Sequence, residues 1–471
     1  MALLNVLALF LLLLLVACSH HKPPPVADLH PAGCEYRAGV VAGELVMLGN
    51  TLLEKGSLAA RGIYVVNGVI AEIGEPAAIA KKYPAASQLR CRNSFFSPGL
   101  INAHEHTSYS HQFPSARMAH DYQHREEWNA GGTREIKPAS KRTDDSDEII
   151  WVELRHLLSG VTTLVGSGQV DGVIKNINTK YDSDLPLVDL MTFPFNPQEL
   201  TKLKLRCMHS QPGDAAIALA DNFPASAPYV PHVGEGINCL AEQEVNTYLA
   251  YATNNPTRKY SLIHGVMIQP EHYQLLKNNN VSVIWSPRSN VALYGKSLDP
   301  IPLLDKGISV ALGTDWSPSG SYNMFEEMRC AKAVTAARSA RTVTDVELWQ
   351  MATQNAAEAL GVDDRLGSIA VGKAADIVVF SDAQQRGLAN FSSKKVSDVM
   401  AVLVNGNLLV AERGRVQGEW IENNCRAQYG DKSICIDFEK NYHKSFADIV
   451  QKNSANVDLL ALDKQVSCDV H

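Results

Sequence analysis

The chain has 471 residues, 45% hydrophobic and 20% charged, an ordinary globular balance that excludes disorder, collagen and coiled coil. Lys and Arg total 43 against 50 Asp and Glu, a net charge of −7 with no basic run, so the composition argues against nucleic acid as a partner. The length fits two or three average domains, or one large α/β barrel with a companion, and the nine cysteines are too few for a disulfide scaffold.

Residues Ala2 to Ala17 are apolar except for Asn5 and close on Leu15-Val16-Ala17-Cys18. That run is short of the roughly 20 residues that span a bilayer and reads as a secretory signal over 1–17. Its last four residues resemble the bacterial lipobox, which implies that Cys18 is lipidated and becomes the mature N-terminus. The n-region lacks Lys and Arg, and an uncleaved anchor is the other reading of the same run. Both put the bulk of the chain outside the cytoplasm. Ser19 after the Cys resembles lipoproteins sorted to the outer membrane, facing the periplasm. Residues 18–35, with Pro23-Pro24-Pro25, read as an extended tether. The eight remaining cysteines can pair in an oxidising compartment. Cys425 and Cys435 are the best pair by proximity, and two free thiols are an equal alternative.

After the tether, Gly43–Leu48, Gly62–Val66 and Val69–Ile73 read as strands, with Asn67-Gly68 as the hairpin turn between the last two. From Pro98 onward short apolar strands alternate with amphipathic helices. The strands are Val161–Val165, Pro186–Met191, Tyr260–Ile263, Val281–Trp285 and Ile308–Leu312. The helices are Asp147–Leu158, Glu242–Ala252, Glu271–Lys277 and Asn323–Ala337. Such alternation means a parallel sheet, and its extent fits one closed eight-stranded barrel of about 250 residues. Strands return at Asp376–Phe380, Val399–Val404 and Leu408–Ala411. The expected architecture is α/β: a (β/α)8 barrel over 97–366 with a composite β-sandwich from 36–96 and 367–420. An extension follows over 421–471.

The chemistry concentrates at strand ends. In Pro98–His106, His104 and His106 stand two apart, the spacing that puts side chains on one face of a strand. Two imidazoles on one face are half of a tetrahedral zinc site. Further strand ends carry His232 with Glu235 three residues on, His264 before Gly265, and Asp315 after Gly313-Thr314. Each sits where an apolar run meets glycine, the lip at which barrel enzymes gather their sites.

These segments resemble the amidohydrolase superfamily, within it the branch of cytosine, guanine and methylthioadenosine deaminases and triazine hydrolases. The resemblance runs from about Gly43 to Val416. Its motifs are Ser97–His106, Gly160-Val161-Thr162-Thr163, Ser286-Pro287-Arg288-Ser289-Asn290, Leu312-Gly313-Thr314-Asp315, Met351-Ala352-Thr353 and Gly367–Val378. It implies that His104, His106, His232 and Asp315 ligate one divalent metal, zinc first and iron as the alternative. It also implies Glu235 as proton shuttle, His264 beside the attacking water, and Asp315 as acceptor of that water's proton. A metal-held water with its pKa near 7 suits such a reaction, and a leaving amine needs the proton that Glu235 would bring.

Trp285-Ser286-Pro287 replaces the His-Cys-Pro usual in the deaminases, and the loop Trp316–Ser321 differs from theirs. The insert Tyr109–Trp128 holds His111, Arg117, His120, His124, Arg125 and Trp128, a lid or a plain surface loop. Arg288 is a candidate for a substrate carboxylate, with a structural ion pair as the equal alternative. Asn290 and Trp316 complete the substrate-binding candidates. Binuclear relatives bridge two metals with a carbamylated lysine, but Lys202 and Lys204 end no clear strand, so one metal is expected. His209 is a spare candidate.

The expected activity is hydrolysis of a non-peptide C–N bond in a small molecule. The alternatives are attack on a lactone or chloro-triazine by the same fold, and a non-enzymatic lipoprotein binding module. The lipid anchor makes a membrane the expected partner, and a homodimer is left open.

Overall fold

The computed structural model describes residues 32–112, 122–128, 142–167, 170, 173–177, 194–209, 227–454, 463 and 468. The signal, Cys18, most of the tether, Arg117, His120, the strand expected at 186–191 and the side chain of His209 lie outside them. Among the described residues no helix is long and apolar enough to cross a membrane.

Five strands precede the barrel: β1 (Gly33–Arg37), β2 (Glu44–Leu52), β3 (Leu58–Val66), β4 (Val69–Gly74) and β5 (Ser87–Pro98). Asn67 and Gly68 both take positive φ, 47° and 84°, which the tight turn between β3 and β4 requires. The barrel strands are β6 (Leu100–Asn102), β7 (Val161–Leu164), β8 (Lys175–Asn176), β9 (His232–Val233), β10 (Ser261–His264), β11 (Ser282–Trp285) and β12 (Val310–Leu312). After the barrel come β13 (Ile377–Ser381), β14 (Val399–Val404), β15 (Asn407–Glu412), β16 (Val416–Gln417), β17 (Ala427–Tyr429) and β18 (Lys432–Ile434).

The two ends of the chain meet in one continuous 11-stranded sheet, ordered β17-β18-β15-β14-β13-β5-β2-β3-β4, with β1 on β5 and β16 on β1. The sequence pointed to a sandwich that stopped at residue 420; the sheet is unbroken and runs on to Ile434. It is stitched at its middle by β5, whose Ser94–Pro98 pairs with β13. One apolar layer lines it, with Met47, Ile63, Leu89 and Phe96 from the first half against Ile377, Val379 and Leu403 from the second. β5 passes through Gly99 directly into β6, so the sheet and the barrel share one continuous run of chain.

The barrel strands are parallel, β6-β7-β8 in one group and β9-β10-β11-β12 in the other. The last strand meets the first: Ala103 N donates to Leu312 O at 3.1 Å and Asp315 N to His104 O at 3.0 Å. Gly313 makes that approach possible, because a Cβ there would lie 2.5 Å from His104 Cβ. Ile101, Ile263, Ile284 and Ala311 point inward from four strands and pack on Ala356, Ala357 and Leu360 at the end nearest the sheet. Leu262, Val283 and Leu312, the alternate residues, join the outer layer with the helices. The helices Ser146–Leu158, Cys239–Asn254 and Met324–Arg338 start within a few residues of their expected positions.

The described cysteines are all paired, as Cys34–Cys91, Cys207–Cys239, Cys330–Cys468 and Cys425–Cys435. The expected pair is present, and three more were not legible from spacing. The extension packs on the barrel: Asn453 Nδ2 donates to Asp147 O at 3.2 Å, and Lys444 and Lys452 pair with Asp147 and Asp145.

Candidate active site

His264 closes β10, where alternation would send it to the outer layer, since Ile263 already faces inward. Its φ of 74° breaks the alternation and turns the ring into the barrel mouth. Asp315 has φ 60°, also left-handed. Neither is glycine, and such backbone costs about 1–3 kcal/mol per residue. The strain therefore falls on two residues singled out for chemistry.

Six side chains converge at this mouth. His104 Nε2 lies 3.1 Å from Asp315 Oδ1 and His106 Nε2 lies 3.4 Å from the same oxygen. The His104 ring is 4.7 Å from His232 and 5.5 Å from His264. His264 Nε2 is 3.7 Å from Glu235 Oε1. Five of the six are buried, and His106 is the partly open one, with 16% of its side chain exposed. His104, His106 and His232 offer ligand atoms within 4.8 Å of one another, as do His104, His264 and Asp315. The set fits a divalent ion. Zn–N bonds of about 2.0–2.1 Å put two ligand atoms up to about 4 Å apart, so only small shifts are needed. His104 Nδ1, His264 Nε2 and Glu235 Oε2 are buried with no hydrogen-bond partner, the orphaned atoms expected of a ligand site.

Burial and the neighbouring imidazoles push His106 down to about 4 and His232 well below the usual histidine range, so both are neutral, as ligands must be. Burial works to raise Asp315, but the hydrogen bond and charge of His104 hold it below its ordinary value. Burial raises Glu235 above the usual carboxylate range. A depressed and a raised carboxylate on either side of His264 suit a proton acceptor and a proton carrier.

Beneath the cluster lies a residue that sequence reasoning quoted without a role. Glu105 is buried between His104 and His106 and accepts from His106 N at 3.1 Å, Asn102 Nδ2 at 3.3 Å, Ser110 Oγ and Thr314 Oγ1. His156 Nε2 sits 3.0 Å away. Burial would raise Glu105, but His156 and these donors hold it down at about 2. It thus ties the loop after β6 to the one after β12. Ser289, also passed over, donates to Asp315 Oδ2 at 2.5 Å.

The substrate-binding candidates fare differently. Arg288 is buried and donates to the carbonyls of Ser319 and Gly320, so it pins the loop after Asp315. This corrects the expectation of a substrate carboxylate there. Asn290 Oδ1 lies 2.9 Å from His264 Nδ1 and sets that ring's orientation. Trp316 stacks on Trp128 at 5.3 Å and meets His106 edge-on at 6.4 Å, an aromatic wall beside the cluster. His124 and Arg125 of the insert turn inward to Glu244, Arg125 with both nitrogens. Lys202 and Lys204 lie on the helix Pro197–His209, more than half exposed, paired with Glu199 and Glu126.

A sequence model of the Amidohydrolase family matches residues 239–409. A 5-methylthioadenosine/S-adenosylhomocysteine deaminase of Syntrophobacter fumaroxidans is 26% identical over 410 residues, 74% of this chain and 88% of that protein. Together these matches support a hydrolase of the amidohydrolase superfamily. The enzyme of the same description from Thermoanaerobacter pseudethanolicus is 36% identical, but the match spans 32% of this chain and 37% of that protein. In fold, the chain is similar to an adenosine deaminase from Xanthomonas campestris with bound zinc, at a TM-score of 0.53 and 17% identity, covering 88% of this chain and 97% of the other. It is a metal-dependent hydrolase that cleaves carbon–nitrogen bonds other than peptide bonds in small molecules.

Proposed function

We propose that the amidohydrolase is a zinc-dependent deaminase that removes an exocyclic amino group from a planar heterocycle, with the adenine ring of a methylthioadenosine-type nucleoside as the first candidate. The observation that carries this reading is the imidazole cluster, with His106 and His232 held neutral, flanked by a depressed Asp315 and a raised Glu235. His104, His106, His232 and Asp315 would hold the ion. When bound, zinc supplies Lewis acidity that brings a water's pKa to about 7. Asp315 takes the proton of the attacking water. With Nδ1–H donated to Asn290, the Nε2 of His264 faces the cluster and, once protonated, donates to the oxyanion. Glu235 delivers a proton to the amino nitrogen, the C–N electron pair stays on nitrogen, and ammonia leaves while the carbon keeps the oxygen of water. The Trp128–Trp316 pair gives a flat face for an aromatic ring.

The place of action is the periplasmic side of the outer membrane, through a lipid on Cys18. Four disulfides support an oxidising compartment. One assay tests both parts. Membrane and soluble fractions of an expressing bacterium are scored for ammonia released from 5-methylthioadenosine, guanine, cytosine and melamine. Release from the purine nucleoside in the membrane fraction, moving to the soluble fraction with Cys18→Ser, is expected. No release from any amine, or chloride release from a chloro-triazine alone, would refute the deaminase reading.

A further inference from the structure

We infer that Tyr294 is a positioning residue that decides which oxygen of Glu235 carries the mobile proton. The inference rests on the reading of Glu235 as proton carrier. Tyr294 closes the helix Pro287–Tyr294, and its ring is buried against Tyr122, Val266 and Leu293. Trp128 Nε1 lies 3.1 Å from the Tyr294 hydroxyl, and that hydroxyl lies 2.8 Å from Glu235 Oε1.

Donor chemistry fixes the direction of this chain. An indole N–H can only donate, so Trp128 fills an acceptor position of the phenol oxygen. The phenol has one hydrogen, and Glu235 Oε1 is the acceptor in reach. Oε1 is thereby occupied as an acceptor in every turnover. Oε2, buried and without a hydrogen-bond partner, is the oxygen left to take up and release the proton. A carboxylic acid that can flip its proton between two oxygens spends half its time with the proton misplaced; this arrangement removes that ambiguity. Burial, together with the adjoining carboxylate, raises the phenol well above its ordinary value, so it stays a donor throughout the working range.

The anchor of the chain is itself held. Trp128 ends the short segment 122–128, which runs antiparallel to Gly236, with Arg125 N donating to Glu235 O at 3.2 Å and Ile237 N to Gln123 O at 2.8 Å. The buried Arg125–Glu244 pair clamps that segment to the barrel, and Glu244 also accepts from Gly234 N at 3.1 Å. The insert that read as a lid or loop thus carries, at its described end, the outer support of the proton carrier.

The test uses the full-length, metal-bound enzyme with 5-methylthioadenosine as probe. Tyr294→Phe keeps the ring and removes the hydroxyl. It should lower kcat about tenfold, a fraction of what general acid catalysis contributes, with KM within twofold. The solvent deuterium isotope effect on kcat should rise, because proton delivery becomes slower, while Tm and metal content stay put. The indole N–H resonance of Trp128, read by ¹⁵N labelling of tryptophan, should shift in the same variant. Wild-type kcat in Tyr294→Phe, or a rise in KM with kcat unchanged, would overturn the inference, as would an unmoved Trp128 resonance whatever the substrate. Glu235→Gln separates the two levels. An inactive Glu235→Gln beside a fully active Tyr294→Phe sinks the inference alone, whereas an active Glu235→Gln sinks the reading beneath it.

Discussion

The two ends of the barrel are built on opposite terms. Where the barrel meets the sheet, a buried cation and an indole are paired off, although Asp376 Oδ2 and Ser94 Oγ have no partner. Lys175 donates to Asp376 Oδ1 at 2.6 Å and Asn405 Oδ1 at 2.8 Å, and Trp349 Nε1 to Ser97 Oγ at 2.9 Å. Left-handed backbone at that end falls on Asn67-Gly68 and Asn405-Gly406, where the turn residues adopt it cheaply. At the mouth, left-handed backbone falls on His264 and Asp315, and His104, His264 and Glu235 keep buried atoms without partners. The comparison teaches that one end pairs its buried charges to hold the fold together, and the other holds strained backbone and partnerless imidazole and carboxylate atoms in place for a ligand.

That contrast can be broken by a substitution at the sheet end. Lys175→Met leaves the carboxylate of Asp376 buried without its cation. It should cost about 3–5 kcal/mol of stability, read by chemical denaturation. Its kcat and KM should stay at wild-type values under folding conditions; a large loss of turnover in folded protein would show that the ends are not independent.

A smaller effect sharpens the same contrast behind the mouth. Glu327 is buried, accepts from Arg288 N at 3.1 Å, and burial pushes it up to about 8. Its folded value lies above the ordinary carboxylate value of 4.5, so the folded state keeps a proton that the unfolded chain gives up between those limits. Its contribution is full below about 4.5 and is lost as pH rises toward 8. Wild-type stability should fall over that window more steeply than that of Glu327→Gln. Parallel pH curves for the two proteins would contradict this.

Much of the barrel was legible because its strands are short apolar runs that end on glycine, and because His104, His106, His232, His264 and Asp315 all sit at those ends. What was not legible depends on long-range closure. Glu105 looks like a charged spacer until Thr314 and His156, 209 and 51 residues away, converge on it. Arg288 reads equally as a ligand of a substrate carboxylate and as half of an ion pair, yet it donates to loop carbonyls that no spacing reveals. Tyr294 lies in no element read from the sequence; only the meeting of its helix with Glu235 gives its hydroxyl a task. The sandwich boundary was set at 420 because Ala427–Tyr429 and Lys432–Ile434 are too short and polar to signal strands alone, and pairing with β15 makes them so. Three of the four disulfides span 32 to 138 residues and had no local signature.

The central claim is that the strained, unmet mouth is built to hold one divalent ion for hydrolysis. Metal analysis of the purified full-length chain, beside Asp315→Asn, tests it most directly. The account predicts about one equivalent of zinc per chain in the wild type. In Asp315→Asn the fold should be kept and ammonia release should fall at least about a thousandfold, since both a ligand and the proton acceptor are lost. A wild-type chain that binds no divalent metal and is no more stable with zinc than without it would contradict the account.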